Sequence, residues 1–229
     1  MTTQPTQPDF GQLVSELRKW DTPALSNALQ RLGVDVSRGG CTDGSITLMT
    51  GARSVGIAVT AAMRAAQPGD DAVHVSELHR LIAASQYPAI VLLQDLDPTP
   101  GAGAFLGEVN GTLLDVLDIA GFATNGRVRD LDELRQMRYT VHARGPCVAR
   151  AHMRLTAVDV PVVIAGMTAR PGDIIHGDQH GLLRIPLDLA AQALAAAEEI
   201  RKEEQEIVVW ARSPEFTIDG LLALRRVRH

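Results

Sequence analysis

The spacing of apolar residues changes several times along the chain, and each change marks an element. Leu25, Ala28, Leu29 and Leu32 recur at helical spacing, which predicts an amphipathic helix beginning at Asp21. Asp21 stands where an N-cap belongs, Pro23 suits the first turn, and Gly33 ends the run. A shorter helix is expected over 12–20, and residues 34–54, rich in Gly, Ser and Thr, hold short strands at most. Alternation over 55–63 reads as a strand, and 73–85 reads as a helix. Residues 88–93 (PAIVLL) form a short apolar run, which suits a strand covered on both faces.

A glycine-rich stretch at 100–103 follows, then a helix expected over 105–120, a strand through about 125 and a short helix near Asp130. That order describes an α/β unit with a parallel strand pair, so the fold class is α/β. Short strands are expected at 140–143, 147–149, 160–164, 174–176 and 182–185, separated by Pro-Gly-Asp and Gly-Asp-Gln-His-Gly turns. Residues 187–212 read as a long helix with Ala on one side and charge on the other, broken at Ser213-Pro214 before a tail helix. No repeat or linker divides the chain. The expectation is one domain over residues 11–229 behind a mobile tail, residues 1–10.

Composition narrows the function. The chain has 229 residues and a net charge of −5, so it lacks the basic balance that direct nucleic-acid binding needs. Its eight aromatic residues (four Phe, two Trp, two Tyr) are too few for a base-stacking platform. Cys41 and Cys147 lie far apart, outside any zinc pattern, which fits a reducing cytoplasm. The N-terminus has no basic, apolar leader, and no apolar run is long enough to span a membrane.

The most informative residues are Glu108, then twenty positions, then Arg129-Asp130. Glu108 sits at a loop-to-helix junction, where unpaired N–H groups favour carboxylates and phosphates. Arg129 and Asp130 sit at the next strand end, and open α/β sheets bind ligands outside the carboxyl ends of their strands. Together they could hold a hard cation such as Mg²⁺ or Mn²⁺ and an anionic substrate. The alternative is plain capping: a first-turn acid, an N-cap and a surface ion pair. Gly101-Ala-Gly103 is no Walker loop, since Lys and Ser/Thr are missing, and no glycine-rich nucleotide fingerprint follows a first strand, which leaves a quinone methyltransferase without support. His176, Asp178 and His180 form HxDxH, readable as metal ligands or as turn chemistry. His152 reads as a hydrogen-bonded structural residue or a general acid/base, and His74 and His79 as surface or interface groups on a helix. Arg127 reads as an ion pair with Asp132 or Glu133, or as a second substrate contact. The acidic run 198–206 reads as a solvated helix face.

Gly107-Glu108, Gly121 and Asn125-Gly-Arg-Val-Arg-Asp130 together resemble the signature of the RraA-like family, which includes class II 4-hydroxy-4-methyl-2-oxoglutarate/4-carboxy-4-hydroxy-2-oxoadipate aldolases. The segment 22–33 resembles that family's opening helix, and 171–173 with 177–181 its late hairpin. The likeness runs over roughly residues 13–225.

The resemblance implies a swivelling β/β/α-type fold, a homotrimer or dimer of trimers, and a site between subunits. It implies that Asp130 ligates Mg²⁺ (or Mn²⁺), that Arg129 holds the pyruvyl group, and that Glu108 fixes waters around the metal, where many members have Asp. The amides of Val109 and Asn110 would bind the substrate carboxylate. An acid from a neighbouring subunit's C-terminal helix, Glu204 with Glu203 as the near alternative, would complete the water shell. The implied activity is cleavage of a 4-hydroxy-2-oxo acid to pyruvate and a second oxo acid, or decarboxylation of oxaloacetate. The other function within the family is a non-enzymatic regulator that binds an RNA-processing enzyme, as RNase E regulators do.

Overall fold

The structure, a computed structural model, describes residues 10–227. The tail expected over residues 1–10 lies outside them except for Phe10, which opens helix α1 (Phe10–Leu17). Helix α2 (Thr22–Arg31) starts as its sequence dictates: the Asp21 side chain accepts from the Ala24 amide at 2.8 Å, with Pro23 in the first turn. Gly33, at φ +84°, takes the left-handed turn that follows.

Strand β1 (Thr47–Thr50) leads into β2 (Ser54–Arg64), the longest strand and the spine of the sheet. Helix α3 (Val75–Ala84) returns the chain to β3 (Ala89–Asp95), which lies parallel to β2. Helix α4 (Glu108–Val116), β4 (Gly121–Thr124), the short α5 (Leu131–Leu134) and β5 (Thr140–Ala143) extend the parallel array, and β1 closes it antiparallel to β5. Along its other edge β2 pairs with β6 (Arg154–Val158) and with β9 (Ile174–Asp178), both antiparallel, and β9 pairs with β10 (Gly181–Ile185). Strands β7 (Val162–Ile164) and β8 (Met167–Ala169) form a separate hairpin. A single 3₁₀ turn, Leu187–Leu189, introduces α6 (Ala190–Ala211), and α7 (Ile218–Val227) ends the described chain.

The sheet curls. Ser54 on β2 and Thr140 on β5 are three strand steps apart in the sheet order, roughly 14 Å on a flat sheet, yet their hydroxyls lie 2.7 Å apart. The curl separates two faces, and β3 shows why its apolar run is continuous. Ala89, Val91 and Leu93 pack with Leu78, Leu106 and Leu114 on the helical side. Ile90 and Leu92 pack on the opposite side with Val162, Ile164 and Met167 of the β7–β8 hairpin. Each such buried side chain contributes roughly 1.5–3 kcal/mol, so a polar residue in this strand would be costly on either face. A third cluster joins α1, α2 and α6 to β9 and β10.

Several elements depart from the expected pattern. Helix α4 begins at Glu108 rather than at 105, because the carbonyls that would start an earlier turn are taken. The Asn110 side chain donates to the Phe105 carbonyl, and the Arg129 amide donates to the Leu106 carbonyl. Residues 147–149 are not a strand: the Cys147 amide reaches back to the Val128 carbonyl, leaving only an isolated bridge between Val128 and Pro146. Strands β6 and β8 were not expected: β6 pairs with β2, distant in sequence, and β8 is a three-residue strand in a hairpin with β7. Among the described residues no helix is long and apolar enough to cross a membrane.

Candidate active site

The crossover between β3 and α4 is built around Asp95 at the end of β3. Its buried carboxylate accepts from the amides of Asp97 (3.0 Å) and Gly101 (2.7 Å). Burial pushes the Asp95 pKa up, and those two hydrogen bonds oppose the shift. The Asn125 side chain pairs with both backbone groups of Asp95, at 2.7 and 3.0 Å, so the loop before α4 is tied to the end of β4. Glycine is required where the segments cross: a Cβ on Gly103 would collide with the Arg150 carbonyl, and one on Gly107 would stand 2.5 Å from Asp130 Oδ2.

That tie brings the next strand end against the start of α4. Gly107 offers no side-chain cap. The Glu108 amide instead donates to Asp130 Oδ2 at 2.9 Å. The Val109 and Asn110 amides have no hydrogen-bond partner among the described residues, as expected for a helix's first turn. Asp130 has left-handed backbone (φ 55°, ψ 51°), which turns its side chain back onto the helix it does not belong to. Arg129 Nε lies 3.5 Å from Asp130 Oδ2, and its guanidinium makes no hydrogen bond among the described residues. Both side chains keep about a third of their surface exposed, 38% and 34%. The Glu108 carboxylate also has no partner among them.

These groups share one cleft of about 580 Å³, lined by Glu108, Val109, Asn110, Arg129 and Asp130. Five of the six residues singled out from sequence therefore converge. The sixth, Glu204, is exposed on α6 and does not line the cleft of its own chain. Its alternative, Glu203, accepts both arms of Arg31 at 2.8 and 2.7 Å. Among the described residues no three His, Cys, Asp or Glu side chains come together to hold a metal. The cleft does contain two available hard-oxygen groups, the Glu108 carboxylate and Asp130 Oδ1. That donor set fits Mg²⁺ or Mn²⁺, which bind through few protein carboxylates and complete their shell with water and substrate.

The other candidates resolve into structure. His176 is buried, with Nε2 against the Trp20 carbonyl (3.0 Å) and Nδ1 against the Thr22 hydroxyl (3.3 Å), so neither nitrogen is available for a metal. Burial pushes its pKa down to about 4. Asp178 accepts from the Thr22 amide (2.8 Å) and the His180 amide (2.9 Å). Burial opposes its ionisation, but the hydrogen bonds from Thr22 and His180 prevail and bring its pKa down to about 2. Arg127 does not pair with Asp132 or Glu133: it donates to the Pro146 carbonyl at 3.1 Å, while Asp132 pairs with Arg135. His152 is held through its backbone, whose amide donates to the Ala65 carbonyl, and its ring makes no hydrogen bond among the described residues.

Three titratable cleft residues were not read as part of the site: Arg150 and Arg154, passed over in the sequence, and His74, read there as a surface or interface group on a helix. His74 also caps α3 by accepting from the Ser76 amide. No spacing rule links residue 150 to 108 or 130. The link is a loop contact, the Ala104 amide on the Ala149 carbonyl at 3.1 Å.

Comparison with known proteins bears on the family and the fold. A family model described as RraA-like, Aldolase/RraA, matches residues 22–184. A protein of Halalkalibacterium halodurans named "Putative 4-hydroxy-4-methyl-2-oxoglutarate aldolase" is 27% identical over 103 residues, 44% of this chain and 49% of that protein. One of the same name from Burkholderia mallei is 37% identical over 81 residues, covering 35% and 49%. The chain thus spans about half the length of these relatives. Among solved structures, Streptomyces coelicolor RraAS2, described as an unusual member of the RNase ES inhibitor RraA family, superposes with a TM-score of 0.72. It is 23% identical, over 89% of this chain and 99% of its own. An uncharacterised Pseudomonas syringae protein gives 0.69 at 25% identity, over 91% and 96%.

Proposed function

We propose that this chain, which belongs to the RraA-like family, is a divalent-metal lyase that cleaves a 4-hydroxy-2-oxo acid to pyruvate and a second oxo acid, and also decarboxylates oxaloacetate. One observation carries the reading. Open helix amides, an uncommitted guanidinium and two available carboxylates converge in a single cleft. The amides of Val109 and Asn110, at the positive end of α4, bind the carboxylate of the 2-oxo acid. Arg129 reaches the 2-oxo oxygen and stabilises the negative charge that develops there as the enolate forms. Asp130, with Glu108 acting through water, would hold Mg²⁺ or Mn²⁺, which would supply Lewis acidity to the reaction. Aldol cleavage removes the proton of the C4 hydroxyl and delivers one to C3. The free Glu108 carboxylate positions the water that carries it.

The family resemblance adds a third acid to such a shell, and we assign it to Glu204 of a neighbouring subunit in a homotrimer or dimer of trimers. Within one chain Glu203 is committed to Arg31, which leaves Glu204 the more available of the pair. Glu204→Ala should then be inactive alone and regain activity when dissociated and reassembled with Asp130→Asn. Mixed oligomers as inactive as their parents would refute the shared site.

The test of the function is pyruvate release from 4-hydroxy-4-methyl-2-oxoglutarate and from oxaloacetate, with and without EDTA. Release should stop on chelation and return with Mg²⁺ or Mn²⁺. Failure on both substrates with either metal would overturn the lyase reading and favour a regulator of an RNA-processing enzyme.

A further inference from the structure

At the end of the sheet away from the cleft, two arginines line one pocket with no ion pair among the described residues. Arg53 stands just before β2, whose far end reaches Met63, the partner of Asp95. From Ser54 to Met63 that strand runs roughly 30 Å, so the pocket and the cleft sit at opposite ends of the sheet. The pocket measures about 530 Å³, within the range of small-molecule sites. Its walls are the residue after α1, the β1–β2 turn and the β9–β10 turn. Arg18, Arg53, Asp178 and Gln179 line it, with Leu48 and Ala52 on the apolar side.

Arg53 is fixed by a hydrogen bond that uses only part of its fork. Its Nη1 donates to the Arg18 carbonyl at 3.1 Å, where α1 has just ended. A cation at a helix C-terminus is ordinary capping, but that bond engages only one nitrogen of the guanidinium. Nε is buried and has no hydrogen-bond partner among the described residues. Buried donors are nearly always paired, with protein, with water or with a bound group. Arg18 adds a second guanidinium, exposed and without a hydrogen bond or ion pair among the described residues. Two like charges lining one pocket repel each other. The acids of the surrounding segments are committed elsewhere. Asp178 accepts from the Thr22 and His180 amides and lies 3.1 Å from His180 Nδ1. Glu16 pairs with Lys19 at 2.6 Å, and Asp21 caps α2. What the pocket has left over is donors: the Nε–Nη2 edge of Arg53, the Arg18 guanidinium and the Gln179 amide.

We propose that Arg18 and Arg53 form a binding site for a phosphate group, as inorganic phosphate or as a small phosphomonoester, at the end of the sheet opposite the cleft. A phosphate oxygen supplies the acceptor that Arg53 Nε lacks, and its charge relieves the repulsion between the two guanidiniums. The arginines come from separate segments, so their forks need not share a plane. A tetrahedral oxyanion can meet one fork along each of two edges, whereas a carboxylate offers a single plane. The volume exceeds what a bare phosphate fills, and the organic part of a phosphomonoester would lie along Leu48 and Ala52. The site is independent of the lyase reading, since it shares no residue with the cleft.

The test is calorimetric binding of inorganic phosphate and of glycerol 3-phosphate in EDTA, where no cation draws either ligand to the cleft. Wild-type protein should bind at least one of them and melt at a higher temperature in its presence. Arg18→Gln should weaken that binding ~10-fold or more. Its melting temperature without ligand should match the wild type, because the Arg18 side chain makes no bond in the fold. Arg53→Gln should weaken binding at least as much, and Arg129→Gln, at the cleft, should leave it at wild-type strength. Tighter binding of glycerol 3-phosphate identifies the occupant as a phosphomonoester; an affinity no greater than that of phosphate identifies it as the free ion. Wild-type protein that binds neither ligand, or Arg18→Gln that binds as tightly as wild type, would overturn the site. Binding lost in Arg129→Gln and kept in Arg18→Gln would move it to the cleft and overturn it equally.

Discussion

Two helices in this molecule begin in nearly the same way and end up with opposite capacities. The first amide of α2, on Thr22, donates to Asp178, 156 residues away, at 2.8 Å. The first amide of α4, on Glu108, donates to Asp130, 22 residues away, at 2.9 Å. At α2 everything else is spent as well: Asp21 takes the Ala24 amide, His176 uses both ring nitrogens, and Asp178 is buried. At α4 the second and third amides stay open, Asp130 keeps one oxygen unused, and Arg129 is bound only by a 3.5 Å ion pair. A helix N-terminus attracts anions in both places. The closed one turns that attraction into stability, and the open one leaves it for a ligand.

The largest effect should come from exchanging one acid for its amide at each end. Asp130→Asn keeps a side chain that tolerates left-handed backbone but removes the charge a cation needs. Pyruvate release should fall ~10³-fold, about 4 kcal/mol, with weaker Mg²⁺ binding by calorimetry and an unchanged melting temperature. Asp178→Asn should do the reverse, lowering the melting temperature and leaving turnover per folded molecule intact. If both variants lose activity and stability together, the two ends do not differ in kind.

Acid should find the closed end next. His176 has its pKa pushed down to about 4 by burial, against an unfolded value of about 6.5. A depressed folded pKa means its contribution is complete above about pH 6.5 and is lost as the pH falls toward 4. Asp178, at about 2 in the fold against about 3.9 unfolded, extends the loss from about pH 4 downward. Unfolding free energy should drop by about 2 kcal/mol between about pH 7.5 and about pH 5, measured by urea titration. His142, lowered by burial in the same direction, steepens that fall. His176→Gln should be less stable at the upper pH and lose less across the window. An equal loss in the variant would remove His176 from the account.

The difference between the two ends was only half legible in the sequence. Periodicity placed α2, β2, β3, β5 and α6 because each carries its own pattern and, for α2, its own cap. Glu108, Arg129 and Asp130 flank one helix–strand unit, α4–β4, so local order already suggests their meeting. HxDxH could be read as metal ligands or as turn chemistry; what makes it structural is contact with Trp20 and Thr22, more than 150 residues away. Arg150 was invisible for the converse reason: its place at the cleft depends on loop-to-loop backbone bonds to Ala104 and Ala65, which leave no periodic trace. Strand β6 was missed likewise, since its pairing with the far half of β2 shows only in three dimensions.

The smallest of these effects is also the most selective. At the open end Arg129 holds its charge in reserve: its Nε is 3.5 Å from Asp130, and 38% of the side chain is exposed. Arg129→Lys preserves charge and roughly preserves reach, so it leaves the electrostatics of the cleft almost unchanged. What it removes is the planar fork, which can hold a carboxylate or an enolate oxygen with two hydrogen bonds in fixed directions. If Arg129 serves only to balance Asp130, an ammonium does that equally well and kcat/KM stays at the wild-type value. If it orients the pyruvyl group, kcat/KM should fall ~10-fold or more, about 1.4 kcal/mol, with the melting temperature unmoved. The split between parameters sharpens the answer. A rise in KM alone would mark a ground-state contact, whereas a fall in kcat would place the guanidinium where charge develops as the bond breaks. Steady-state kinetics of pyruvate release by the two proteins under saturating Mg²⁺ separates the cases, and a Lys variant as fast as wild type would take Arg129 out of the chemistry.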